Sequence, residues 1–145
     1  MRGASAVESI LEQRANEPIR VFAVWQPILP TDWAAPASSV LKRLSDRRVQ
    51  QYWDPNHVLA TRMKNDARGP QPVQDCCVRS GILWDLAAVY LPGATWSDRI
   101  PAAVVFNGPV VDVISEIESA LLSVPRASRL VPPAGNVPAN SPRLW

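Results

Sequence analysis

The segment from Arg99 to Ile114 constrains the fold more than any other part of the sequence. Ile100–Pro101 opens an apolar run, and Asn107–Gly108 separates that run from a second one. Asn-Gly between two apolar runs predicts a β-hairpin, because both residues tolerate the positive φ angles of a type I′ turn. Ser115 and Glu118 have the spacing of a capping box, which predicts a helix directly after the second strand.

Upstream of this segment, helical and extended patterns alternate. Asp54 before Pro55 indicates a helix start, with Asp as the N-cap and Pro at the first helical position. The predicted elements are a helix around Ser5–Glu8, a strand over 19–25 buried on both faces, a helix over 35–45, a strand over 49–53, a helix over 54–66 and a strand over 82–91. Such alternation predicts an α/β protein with a central mixed sheet flanked by helices.

Composition is that of a globular domain with an unusual end. The chain has 145 residues, of which 47% are hydrophobic and 19% are charged, and it contains 15 prolines. We predict one domain over 1–124, with 67–98 as an inserted segment, and a flexible Pro-rich tail over 125–145. The tail holds three basic residues and no acidic one, so the body is nearly neutral and no nucleic-acid partner is predicted.

Neither the apolar segment of a membrane-spanning helix nor that of a signal peptide is predicted from the sequence. No segment approaches the ~18 consecutive apolar residues of a membrane-spanning helix. Residues 1–15 include Glu8, Glu12 and Arg14 and have no apolar core of a signal peptide. These features predict a soluble, cytoplasmic protein, or an extracytoplasmic one if a leader was removed.

The order of proline, strand, turn, strand and helix resembles the C-terminal half of thioredoxin-like folds. In that family a buried strand ends in Trp, a C-x-x-C pair follows, and the next helix carries a proline; Trp25 and Pro36 match the Trp and the helix proline. The resemblance covers 19–66 and 99–124 and implies a cis peptide bond at Ile100–Pro101. Residues 26–33 contain no cysteine, so the family's usual redox centre is missing.

Cys76 and Cys77 are the only cysteines and therefore the only candidate catalytic thiols. Adjacent Cα atoms lie ~3.8 Å apart across a trans peptide, below the usual ~4.4 Å lower limit for a disulfide. A bond between them is therefore expected to reduce easily, which suits a redox switch. Alternatively, the two thiolates hold a soft metal with His57 as a third ligand. A third possibility is that one cysteine packs beneath the predicted polar loop over 67–80, which contains both, and that the other is incidental.

Tryptophans supply a second candidate site. Trp33 and Trp96 fall in predicted loops, and with Trp25, Ile100 and Pro101 they are candidates to line a groove. Thioredoxin-like proteins grip extended peptides beside the matching proline, so the resemblance implies a peptide or protein partner here. Three hypotheses remain open: a thiol-redox protein, a redox-inactive binding module and a soft-metal binder. No organic cofactor is predicted.

Overall fold

The computed structural model describes residues 2–66, 76–79 and 81–124, and it has the predicted α/β class. The predicted tail over 125–145 lies outside these residues. The elements are α1 (Arg2–Gln13), β1 (Val21–Trp25), α2 (Ser38–Leu41), β2 (Val49–Trp53), α3 (Val58–Asp66), β3 (Val78–Arg79), β4 (Ile82–Leu83), β5 (Ala87–Val89), β6 (Val105–Asn107) and α4 (Ile114–Ser123).

The first half of the fold is a βαβ unit. Strands β1 and β2 pair in parallel, with Val21 opposite Val49 and Trp25 opposite Trp53, so both predicted strands are confirmed. Helix α2 is four residues long, shorter than predicted. Beyond Leu41 the chain continues in turns that end at the buried Leu44.

The prediction that β1 is buried on both faces is wrong. Phe22 is 59% exposed, and its ring lies 6.5 Å from that of Tyr52 on the neighbouring strand. A strand in a two-stranded sheet has only one face covered here, so the side chains that alternate toward the other face remain in contact with solvent.

The hairpin predicted across Asn107–Gly108 is wrong. Strand β6 pairs with β5 in antiparallel orientation, and the residues after Gly108 form a turn closed by the N–H of Asp112 donating to the carbonyl of Pro109 at 2.8 Å. Pro109 has no N–H to give to a ladder. The N–H of Val110 is donated to the Asp85 carbonyl instead.

The predicted cis bond at Ile100–Pro101 is also wrong. Among the described residues, the cis peptide bond is Gly108–Pro109. The feature of the thioredoxin-like resemblance that depended on Pro101 is therefore not found at that position.

The strand predicted over 82–91 is divided in two. Asp85 adopts φ 46°, a left-handed conformation that no regular strand contains, and it separates β4 from β5. Strand β4 pairs with β3, so the described strands form three two-stranded sheets in place of a single central mixed sheet.

Strand β6 lies between the two hydrophobic clusters of the described residues. Its neighbouring residues Val105 and Phe106 point to opposite faces, as the two-residue period of a strand requires. Phe106 belongs to a cluster that comprises Ala60, Leu83, Ile100, Ala103 and Phe106. Val105 belongs to one that joins α1 to α4 and comprises Ile10, Val105, Val113 and Ile117.

Helix starts differ from their predicted capping residues. Helix α1 begins before Ser5, and Glu8 instead accepts hydrogen bonds from the N–H and O–H groups of Ser45 at 3.0 and 2.8 Å. Helix α4 begins at Ile114, after Val113, which makes no side-chain cap.

Helix α3 is capped from further upstream than predicted. It begins at Val58, because His57 adopts φ 55° and interrupts the helix expected from Pro55. The Asp54 carboxylate still caps it, since it accepts the N–H groups of Val58 and Leu59 at 2.9 and 2.8 Å.

Candidate functional site

The two candidate catalytic cysteines form a disulfide bond with each other. Cys76 is partly exposed, whereas Cys77 is buried with 6% of its surface accessible. The pair immediately precedes the β3–β4 hairpin, and the Trp84 N–H donates to the Cys77 carbonyl at 2.9 Å. Cys76 is therefore the more accessible of the two residues.

The buried sulfur lies against backbone from two other segments. The Cys77 Sγ atom is 3.6 Å from the carbonyl oxygen of Asp85. A Cβ atom placed on Gly108 would lie 2.6 Å from the same sulfur, closer than real Cβ contacts allow. A disulfide sulfur carries no hydrogen, so the contact with Asp85 becomes a hydrogen bond only when Cys77 is a thiol.

Asp85 links this sulfur to the turn before α4. Its carbonyl accepts the N–H of Val110 at 3.1 Å, and its carboxylate Oδ1 lies 3.4 Å from the same nitrogen. Asp85 is exposed, so its carboxylate is accessible to solvent although the surrounding sequence is apolar. The disulfide, the β4–β5 turn and the turn before α4 thus meet around one carbonyl group.

Both residues at this junction have left-handed backbones. Cys77 has φ 79° and Asp85 has φ 46°. The left-handed region costs a non-glycine residue roughly 1–2 kcal/mol, because Cβ crowds the carbonyl oxygen. Such conformations persist where the surroundings hold them, and they are concentrated at active sites and switch regions.

The predicted groove around Pro101 is only partly accessible. Ile100 is 3% exposed and packs in the core cluster of Phe106, so it offers little surface for the predicted contact with a partner. Its N–H donates to the Asp66 carboxylate at 3.2 Å. Trp96 is 47% exposed and Trp33 is 84% exposed, so both indole rings are open to solvent, as a binding role requires.

Trp25 lines a small pocket at the carboxyl ends of β1 and β2, which sequence reasoning missed. Its Nε1–H donates to the Gln51 Oε1 at 2.9 Å, and the Gln51 amide donates to the carbonyls of Leu41 and Leu44 at 3.1 and 2.8 Å. The pocket has a volume of about 110 Å³ and is lined by Trp25, Ala35, Pro36, Leu41, Gln51, Tyr52 and Trp53. Trp at the last position of two paired strands was the available signal.

The His57 ring contacts the backbone of a residue that is far from the cysteines in the sequence. Its Nε2 lies 2.6 Å from the carbonyl oxygen of Pro27. Because a carbonyl only accepts, this nitrogen carries the proton and donates. Among the described residues, no three His, Cys, Asp or Glu side chains are grouped as metal ligands. The soft-metal hypothesis therefore gains no support from the geometry.

No protein-family model, curated protein or solved structure matches this chain. In the part of the chain that the structure describes, the helices are too short or too polar to cross a bilayer.

Proposed function

We propose that this protein exchanges electrons with a dithiol partner through the Cys76–Cys77 disulfide. The observation that carries the proposal is the asymmetry of the pair, in which Cys76 is partly exposed and Cys77 is buried against Asp85 and Gly108. Thiol–disulfide exchange requires a nucleophile to approach one sulfur along the S–S axis. Cys76 offers that access, and Cys77 is then the leaving group.

The reaction is a two-electron exchange in two steps. A thiolate of the partner attacks the Cys76 Sγ, a mixed disulfide forms, and the bond to Cys77 breaks so that Cys77 leaves as a thiolate. The second thiolate of the partner then attacks the partner's sulfur in the mixed disulfide, the bond to Cys76 breaks, and Cys76 is released as a thiolate. Two protons from the partner's thiols end on Cys76 and Cys77, the partner is oxidised to a disulfide, and this protein is reduced to a dithiol.

The surroundings of Cys77 favour its thiol form as the product. Once protonated, Cys77 can donate its S–H to the Asp85 carbonyl, which lies 3.6 Å away. The disulfide joins two adjacent residues and therefore closes a small ring. Reduction opens this ring and allows Cys77 to leave its φ of 79°, which is unfavourable for an L residue.

We also propose a distant relation to thioredoxin-like proteins, on element order alone. The order β1, α2, β2, α3 and then β5, β6, α4 follows the family's order of elements. The antiparallel partner of β6 comes from 87–89 and not from the residues after Gly108. The C-x-x-C pair is missing, so any redox chemistry depends on Cys76 and Cys77.

The test is a redox titration with counting of free thiols. The full chain is equilibrated in ratios of reduced to oxidised dithiothreitol, quenched in acid, alkylated with a maleimide and weighed by mass spectrometry. We expect the unmodified and doubly modified species to interconvert, reversibly, with hardly any singly modified protein. Cys76→Ser and Cys77→Ser controls should each take one label at every ratio. A pair that never re-forms its disulfide on reoxidation would overturn the proposal.

A further inference from the structure

The turn that leads into α4 contacts the same carbonyl group as the buried sulfur. The Asp85 carbonyl accepts the Val110 N–H at 3.1 Å, and the Cys77 Sγ lies 3.6 Å from that oxygen. Gly108, two residues before Val110, lies directly on the sulfur. Any displacement of the Cys77 sulfur therefore acts on both ends of the segment 108–110.

We infer that the redox state of Cys76–Cys77 is transmitted through Gly108 and the Asp85–Val110 hydrogen bond to the start of helix α4. The inference rests on the proposed function and adds a regulatory consequence to it. Two sulfur atoms joined by a covalent bond lie closer together than two thiols can. Reduction must therefore move at least one of the two sulfurs.

Any movement of the Cys77 sulfur changes its packing against the turn that leads into α4. Cys77 is buried, and a single methyl group on Gly108 would already overlap the sulfur. An outward shift of the thiol rotates the Cys77 side chain away from Gly108, while an inward shift presses on Gly108. Reduction also gives the Asp85 carbonyl a second donor, the Cys77 S–H, in competition with the Val110 N–H.

Helix α4 turns this local event into a change in the core. Val113 and Ile117 at its start pack with Ile10 of α1 and with Val105 of β6. In the chain, the turn after Gly108 connects β6 directly to Val113 and Ile117. A change in the Val110 hydrogen bond is expected to alter the local opening of the first turn of α4.

Amide hydrogen exchange of the full chain, read by mass spectrometry or NMR in the oxidised and the tris(carboxyethyl)phosphine-reduced protein, tests the inference. Loss or gain of one hydrogen bond's stabilisation, about 1 kcal/mol, changes an exchange rate by about fivefold. We expect a change of this size in amides over 110–117 and none in β2 (Val49–Trp53). The Cys76→Ser/Cys77→Ser double variant should show no response to the reductant.

Thiol counting on the same samples separates two kinds of failure. If both thiols appear and re-form the disulfide on reoxidation, yet exchange over 110–117 is unchanged, the transmission is refuted and the proposed redox function stands. If the disulfide does not cycle, both proposals fail. If exchange changes equally in the double variant, the reductant acts elsewhere and the inference is overturned.

Discussion

Gly108 and Cys77 are in such close contact that the glycine has no room for a side chain. A Cβ atom at position 108 would lie 2.6 Å from the Cys77 sulfur and closer still to the Asp85 carbonyl oxygen. Gly108 does not have a positive φ, so the requirement for glycine here is one of space and not of backbone conformation. Gly108, which the sequence suggested as half of a hairpin turn, instead packs against the buried sulfur of the disulfide.

Replacement of Gly108 by Ala is expected to destabilise the protein by about 2–3 kcal/mol, in the range of overpacking in a close-packed interior. The neighbours that must yield are backbone and a constrained sulfur, not the end of a flexible side chain. Urea unfolding of the oxidised protein measures the change. Gly93→Ala is the matched control, because a Cβ there meets nothing within 4 Å and only its φ of 84° is unfavourable, at a cost of about 1 kcal/mol. Equal losses in the two variants would contradict the close contact.

Arg48 ties the end of α1 to the start of β2. Its guanidinium donates to the carbonyls of Leu11 and Arg14, each at 2.6 Å, and to that of Glu17 at 3.1 Å. It also pairs with the Asp46 carboxylate at 2.7 Å. These carbonyls lie at and beyond the C-terminus of the helix, where backbone acceptors lack partners within the helix and a cation is favoured.

Replacement of Arg48 by Ala should therefore lower the free energy of unfolding by about 2–3 kcal/mol. The charged donor is removed, and several partly buried carbonyl groups are left without its hydrogen bonds. Arg48→Lys should recover only part of the loss, since an ammonium cannot reproduce the planar fork. The exposed neighbour Arg47 supplies the control, and Arg47→Ala should change stability by less than about 0.5 kcal/mol. Chemical denaturation of the three variants measures these differences, and an Arg48→Ala loss no larger than that of Arg47→Ala would count against the capping role.

The sequence was sufficient for the elements whose signals are local. The apolar run that ends at Trp25 and the pattern over 49–53 predicted both strands of the βαβ unit, and the capping-box spacing of Ser115 and Glu118 predicted the helix that forms α4. Strand β2 and helix α4 each bury one face, so periodicity and structure coincide there, whereas β1 follows an apolar run in which Phe22 is exposed. Asp54 was also recognised as a helix cap, although it acts from four residues upstream of α3.

The errors arose where long-range contacts override local preference. Asn107–Gly108 has a strong hairpin preference, yet β6 finds its partner in β5, about twenty residues earlier in the sequence. Asp85 breaks an apolar run that appeared to be one strand, because its carbonyl is needed by Val110. For the site, the sequence identified Cys76 and Cys77 as the only thiols, but no local pattern indicated that Asp85 and Gly108 would enclose the second sulfur.

Acid is expected to weaken the attachment of Arg48. Hydrogen bonds from the Arg48 side chain, then from its backbone N–H, lower the pKa of Asp46 from 3.8 to about 2. The folded-state pKa lies below the unfolded one, so this stabilisation is complete above the unfolded pKa and is lost as the pH falls from about 4 toward about 2. Thermal midpoints measured between pH 5 and pH 2 should fall more steeply for the native chain than for Asp46→Asn.

Asp32 provides an internal comparison for this pH dependence. Its pKa is also lowered, by hydrogen bonds from the backbone N–H groups of Leu29 and Ile28, so some loss of stability in acid should persist in Asp46→Asn. An Asp32→Asn variant should retain the part due to Asp46. Identical acid profiles for the native chain and Asp46→Asn would show that the Asp46–Arg48 pair contributes nothing to the pH dependence.

The protein is expected to be inactive as a general disulfide reductase. A thioredoxin reduces large substrates with an exposed thiolate at the start of the helix after the Trp-ended strand. Here residues 26–37 between Trp25 and α2 contain no cysteine. Of the Cys76–Cys77 pair, Cys77 is buried beneath Gly108 and Asp85.

In a dithiothreitol-driven insulin precipitation assay, the rate should match that of dithiothreitol alone, with a thioredoxin as the positive control. The Cys76→Ser/Cys77→Ser variant should retain the far-ultraviolet circular dichroism of the native chain and give the same background rate. Turnover near that of the thioredoxin would show that the pair reaches bulky disulfides despite the burial of Cys77. Turnover that survives in the double-serine variant would place the activity outside the cysteines altogether.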